Sequence, residues 1–157
     1  MIRTTRIVLL LCVLFIPQYT NGQSYEGCLD LFGNPVVSYP NMYINDVAKA
    51  GYYYGTPTIF YNPSVLPWFQ YQTRVWMYWH ECAHFQLGHT IGVAFPLTME
   101  QGADCWSIRY LVFNNYFAEA DVAIVAADLG RLGPGDWTHL PGGQRGINLY
   151  KCLGTLK

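Results

Sequence analysis

His80-Glu81-Cys82-Ala83-His84 holds residue types and a spacing on which hydrolytic metal chemistry can be built. On a helix, residues four apart lie one above the other, so His80 and His84 can aim two imidazoles at one ion. Glu81 lies about 100° round from His80, where it can hold a water instead of binding the ion. A hydrolytic zinc takes three protein ligands and keeps one position open. Glu100-Gln101-Gly102-Ala103-Asp104 offers the third ligand. Glu100, at the start of the next helix, can reach across a short connection. Asp104 falls four residues further on the same face, where it can accept the outer N–H of His80 and fix that ring's tautomer.

Helix-dipole stabilisation accounts for Glu100 alone, but not for its joint spacing with Asp104. A ligand pattern His-Glu-x-x-His-x-x-Gly-x-x-His would need Gly and His where the chain has Leu87 and Thr90, so His89 reads as a helix-end residue. Gly102 inside a helix costs about 1 kcal/mol against Ala. That cost makes sense if a backbone or a substrate approaches closely there.

These residues need two rigid carriers. A long helix opens at Ser64 or Thr73 and ends near Leu87, with Gly88 as its stop. Val75, Tyr78, Cys82 and Phe85 form one apolar stripe along it, and His80 and His84 lie opposite, beside Trp76 and Leu87. Thr98-Met99-Glu100-Gln101 matches a capping box, and the helix it starts runs to about Asn114. A third helix spans Ala118 to Leu129, and a last one Gly146 to Leu153, after a Gly/Pro-rich stretch from Arg131 to Arg145. Upstream, Gln23 to Pro40 reads as an irregular arm and Tyr43 to Asn62 as a hairpin turning at Gly51 to Gly55. Pro57 and Pro63 bracket Thr58 to Tyr61, which predicts an edge strand. The class is α+β: a small, mainly helical domain with a short hairpin ahead of the histidine helix.

Arg3 and Arg6 precede the apolar run Ile7 to Ile16, and Thr20-Asn21-Gly22 comes before a plausible cut at Gln23. This reads as a signal peptide over residues 1–22, the run falling short of the roughly 18 residues of a membrane span. Residues 23–157 then make a single domain, secreted or periplasmic, with no further span. A net charge of −1 with 12% charged residues carries no electrostatic footprint for nucleic acid. Aromatic content of 17% fits either a core filled with large rings or an aromatic substrate groove. Cys28, Cys82, Cys105 and Cys152 remain after the leader and predict two disulfides, read as Cys82–Cys105 and Cys28–Cys152.

In these motifs the chain resembles the gluzincin metallopeptidases, and most closely the family that includes the CaaX prenyl protease and the bacterial heat-shock membrane protease. The likeness covers mainly Thr58 to Arg145 and rests on His80-Glu81-x-x-His84 and Glu100-x-x-Ala103-Asp104, then Thr138-His139 with Arg145 six residues after the histidine. It implies a zincin-like fold, Zn2+ on His80, His84 and Glu100, Glu81 as base, and His139 near the reacting carbonyl. Arg145 would support that loop or bind substrate, and a peptide would lie along Thr58 to Asn62. The chain departs from the family in three ways. Pro141 follows His139 by two positions where family members have one, the interval from His84 to Glu100 is shorter than in the membrane members, and no membrane helices are read. Cytosolic peptidases that cleave repressor proteins share the first two motifs, but the leader argues against them.

The expected activity is therefore zinc-dependent hydrolysis of a peptide or unfolded protein. Two other classes fit parts of the pattern. One is a zinc-stabilised, non-catalytic peptide-binding or chaperone-like module of the cell envelope. The other is a metal-free, disulfide-linked envelope partner. Any regulatory partner is left unnamed by the sequence.

Overall fold

A computed structural model of the protein describes residues 26–91, 96–136 and 139–154. The leader read at residues 1–22 lies outside them, as does Thr138. The architecture is α+β. Three strands, β1 (Val37–Pro40), β2 (Ala48–Tyr53) and β3 (Thr56–Tyr61), are followed by α1 (Tyr71–Gln86), α2 (Leu97–Phe113), α3 (Glu119–Gly130) and α4 (Gly142–Gly154). A 3-10 turn, Leu66–Trp68, leads into α1.

The β2–β3 hairpin turns on Tyr54 and Gly55, with φ of 48° and 82°, the two left-handed residues that match the twist of a tight hairpin. The turn is shorter than the sequence suggests, because Gly51 to Tyr53 belong to β2. The sheet order is β1-β3-β2, with β3 antiparallel to β2 and parallel to β1. This corrects the expected edge: Thr58 to Tyr61 lies at the centre. Part of the arm forms β1 and covers that side, pairing from Val37 opposite Thr58. Pro57 is tolerated because it precedes that ladder and stands opposite Tyr52 of β2 alone. The two edge strands are therefore β1 and β2. Asn62 N–H donates to Val47 C=O at 2.8 Å, so odd-numbered residues of β2 turn their backbone groups to β3. Ala48, Ala50 and Tyr52 turn theirs outward.

α1 sits between two apolar layers. Tyr78, Cys82 and Phe85 pack with Cys28, Val36, Ala48, Ala50 and Ile59 under the sheet. Trp76 and Met77 pack with Ile108, Leu111, Val122, Val125, Leu129 and Leu149 of the other helices. Of the predicted stripe, Tyr78, Cys82 and Phe85 share the sheet side, as the helical period requires, whereas Val75 packs with the helical layer.

The disulfides join Cys28 to Cys82 and Cys105 to Cys152, with Cα separations of 5.7 and 5.2 Å. The expected pairs Cys82–Cys105 and Cys28–Cys152 are not formed. Cys82 points into the sheet layer, away from α2, so the arm is its neighbour. Cys105 lies where α2 packs on α4.

α2 starts one residue before the expected Thr98 cap. Pro96 is its N-cap, its carbonyl accepting from Met99 and Glu100, and Thr98 is an exposed helical residue. α4 begins four residues earlier than expected, and Gly142 and Gly146 let it lie against α3. A Cβ at Gly146 would come within 2.9 Å of the Ala126 carbonyl oxygen. That close seating sets Arg145 over α2.

Candidate metal centre

α1 and α2 pack side by side and bring three side chains together. His80 and His84, one turn apart, have ring centroids 5.0 Å apart, and their Nε2 atoms are 3.3 Å apart. Glu100, in the first turn of α2, brings Oε2 to 3.0 Å from His80 Nε2 and Oε1 to 3.6 Å from His84 Nε2. All three are buried, and one ligand atom from each lies within 4.8 Å of the others. Two ligand atoms about 2.1 Å from a tetrahedral zinc stand roughly 3.4 Å apart. The separations found are close to that value, and two imidazoles with a carboxylate are a donor set that zinc accepts. These side chains could hold a metal ion.

Asp104, one turn along α2, places Oδ1 2.8 Å from His80 Nδ1, close enough to accept although off the ring nitrogen's best direction. This is the contact expected from spacing. Arg145 reaches Asp104 from α4 with Nη2 at 2.6 Å and Nε at 3.0 Å, while its guanidinium lies 5.4 Å from the Trp76 ring centre. It therefore acts on the site through Asp104, a contact that only the packing of α4 reveals.

Burial works against charge on His80, but the carboxylates of Asp104 and Glu100 outweigh it and raise its pKa to about 10. Burial raises Asp104 as well, yet Arg145 and His80 bring it down to about 2. Glu100 is buried too, and hydrogen bonds from His139, His80 and His84 hold it far below the ordinary carboxylate range. Without a metal, His80, Glu100, Asp104 and Arg145 thus form a set of paired charges.

Glu81 behaves differently. Burial raises its pKa, with the charges of His80 and His84 pulling the other way. Its Oε2 accepts the N–H of Ala50 at 2.6 Å, so the outer edge of β2 runs directly beside the site. His139 comes from the loop before α4. It is half-buried, with Nε2 3.0 Å from Glu100 Oε2, and that hydrogen bond raises its pKa. Asp136 sets the loop by accepting the His139 backbone N–H at 2.8 Å.

Sequence reasoning missed two contacts here. Ala50 contributes through its backbone, which leaves no signal in residue type. His89 reaches the site, with its Nδ1 3.1 Å from His84 Nδ1. Its signal was present, in Gly88 just before it. The chain matches no known protein-family model, no curated protein and no solved structure.

Proposed function

We propose that this site is the catalytic centre of a secreted or periplasmic zinc peptidase of the gluzincin kind, on a zincin-like fold. The observation that carries the reading is the convergence of two imidazole nitrogens and one carboxylate beside an open strand edge. The compartment is supported by the two disulfides, which suit an oxidising environment. No helix of the described residues is long and apolar enough to cross a membrane.

His80, His84 and Glu100 would hold the ion. Zinc bound there supplies Lewis acidity, lowering the pKa of water and polarising a carbonyl. Glu81 is the base: Ala50 N–H fixes one carboxylate oxygen, leaving the other to take the proton from water and pass it to the departing amine. His139, whose Nε2 stands 3.0 Å from Glu100 Oε2, would donate towards the oxygen that gains charge. The peptide lies along β2, not along β3. The outward backbone groups of Ala48 and Tyr52 have no strand partner among the described residues, while Ala50 N–H is held by Glu81, so main-chain pairing would make recognition broad.

The test is metal analysis of the purified protein together with proteolysis of an unfolded substrate, for the natural chain and Glu81→Gln. Both chains should carry one zinc. Turnover by the variant should fall by about 10²–10⁴, the range of general-base effects. Undiminished proteolysis by Glu81→Gln removes Glu81 from the base role, and a chain that takes up no zinc removes the metal centre.

A second reading is a zinc-stabilised peptide-binding module. It is favoured by the burial of Glu81 and by the hydrogen bond that already occupies one of its oxygens. Zinc uptake without any proteolysis would select it.

A further inference from the structure

α1 ends in a closure dictated by backbone sterics. Gly88 has φ of +71°, a conformation that costs a residue with a side chain about 1–2 kcal/mol. Leu87 is the C-cap, Gly88 N–H donates to Phe85 C=O at 3.2 Å, and His89 N–H donates to His84 C=O at 2.8 Å. This pair of bonds is the Schellman closure, in which the second residue past the cap returns to the third residue before it. It seats residue 89 over residue 84 whatever their side chains. Such positions commonly hold two apolar side chains in contact. Here both are imidazoles.

The rings approach as hydrogen-bond partners. Their Nδ1 atoms are 3.1 Å apart, with ring centroids 5.2 Å apart at 63°. Two ring nitrogens at this distance share one proton, so one donates and the other accepts. The other nitrogen of His84, Nε2, faces His80 and the Glu100 carboxylate. As a ligand it must keep its lone pair, which leaves the proton of a neutral His84 on Nδ1.

We propose that His89 is the positioning residue for His84, accepting its Nδ1–H and so aiming the Nε2 lone pair at the metal. The inference rests on the metal-centre reading above. It gives the two ligand histidines outer partners of different kinds. His80 has a carboxylate, Asp104, itself held by Arg145. His84 has an imidazole, placed by the end of its own helix. Gly102 leaves room for the His89 ring on the surface of α2: a Cβ there would stand 3.7 Å from His89 Cε1, and any longer side chain would have to displace the ring.

The experiment measures zinc affinity of the full chain by competition with a chelating indicator, for the natural protein, His89→Leu and His89→Asn. An asparagine amide oxygen can stand where Nδ1 stands and can accept the same proton. Leucine fills the space and accepts nothing. Leucine should weaken zinc binding 10–100-fold, the usual effect of losing a ligand's outer partner, and asparagine should restore most of it. Nitrogen chemical shifts of His84 in the zinc-loaded natural protein should show the proton on Nδ1 and the metal on Nε2. The opposite assignment overturns the proposal even if both variants fold poorly. Equal affinity of His89→Leu and the natural chain overturns it too, as do equal losses in the two variants. A natural chain that binds no zinc brings down the metal-centre reading together with this one, whereas tight binding indifferent to residue 89 brings down this one alone.

Discussion

Arg145 grips Asp104 through two nitrogens on two different oxygens, at 2.6 and 3.0 Å, and Asp104 in turn stands 2.8 Å from Nδ1 of His80. The last helix is thereby coupled to the His80 ring on the first one, through a carboxylate of the second. His80 and Asp104 are buried and Arg145 is largely covered, so each charge depends on its neighbour for what water would otherwise supply.

Arg145→Met should therefore destabilise the protein well beyond its lost contacts. Methionine keeps much of the volume over Trp76 but leaves a buried carboxylate short of its strongest partner. Breaking such a pair from one side costs about 3–5 kcal/mol. Arg145→Lys should recover only part, since a point charge cannot make the two parallel bonds of a guanidinium. Urea unfolding measures the loss, and chelator competition should show weaker zinc binding in the Met variant. A Met variant as stable as the natural protein would show that Asp104 is not held by this contact.

The site was more legible in the sequence than the sheet was, and the reason is range. His80, Glu81 and His84 sit on one helix, so a period of 3.6 residues fixes their directions without knowledge of the rest. Glu100 and Asp104 obey the same arithmetic on α2. The order of strands has no such local rule, because β1 comes from an arm rich in Gly and Pro and is a strand only where β3 lies beside it. The disulfides fell between these cases. Cys82 could be seen to point away from the histidines, and Glu100 required α2 to lie on the histidine side. Those two facts together already placed Cys105 out of reach of Cys82. His89 was likewise readable, because a glycine at the end of a helix seats the next residue over the fifth one before it.

Peptide mapping of the unreduced protein should recover fragments joining Cys28 to Cys82 and Cys105 to Cys152. The pairs close sequence separations of 54 and 47 residues. Constraining loops of that size in the unfolded chain is worth about 4 kcal/mol each in the chain-entropy account. Replacing Cys28 and Cys82 together by alanine should lower unfolding stability by about 2–5 kcal/mol. Fragments joining Cys82 to Cys105 would contradict the packing of α1 described above.

Gly102→Ala should stabilise the protein by about 1 kcal/mol, the difference in helix propensity. The sequence suggested a close approach that only glycine permits, but a Cβ at this position would meet His89 Cε1 at 3.7 Å and Leu87 Cδ1 at 3.9 Å, ordinary contacts. Alanine should leave zinc affinity unchanged, since the His89 ring keeps its place. Thermal melting and chelator competition check both halves. A loss of stability would mean that α2 needs glycine there for a reason other than space.

The metal-stripped protein should lose stability as pH rises, and the zinc-loaded protein should not. His80 has its pKa raised in the fold from 6.5 to about 10, because Asp104 and Glu100 outweigh the cost of burying its charge. A group shifted in that direction contributes fully below the unfolded value of 6.5, and the contribution fades as pH climbs through about 10. Thermal midpoints measured with chelator present should fall across this window. Zinc must displace the His80 proton to bind, so its affinity should rise over the same range, with about one proton released per ion near neutral pH. Midpoints of the zinc-loaded chain should be flatter, because that proton is already gone. Parallel slopes with and without zinc would show that His80 is not the group the metal displaces.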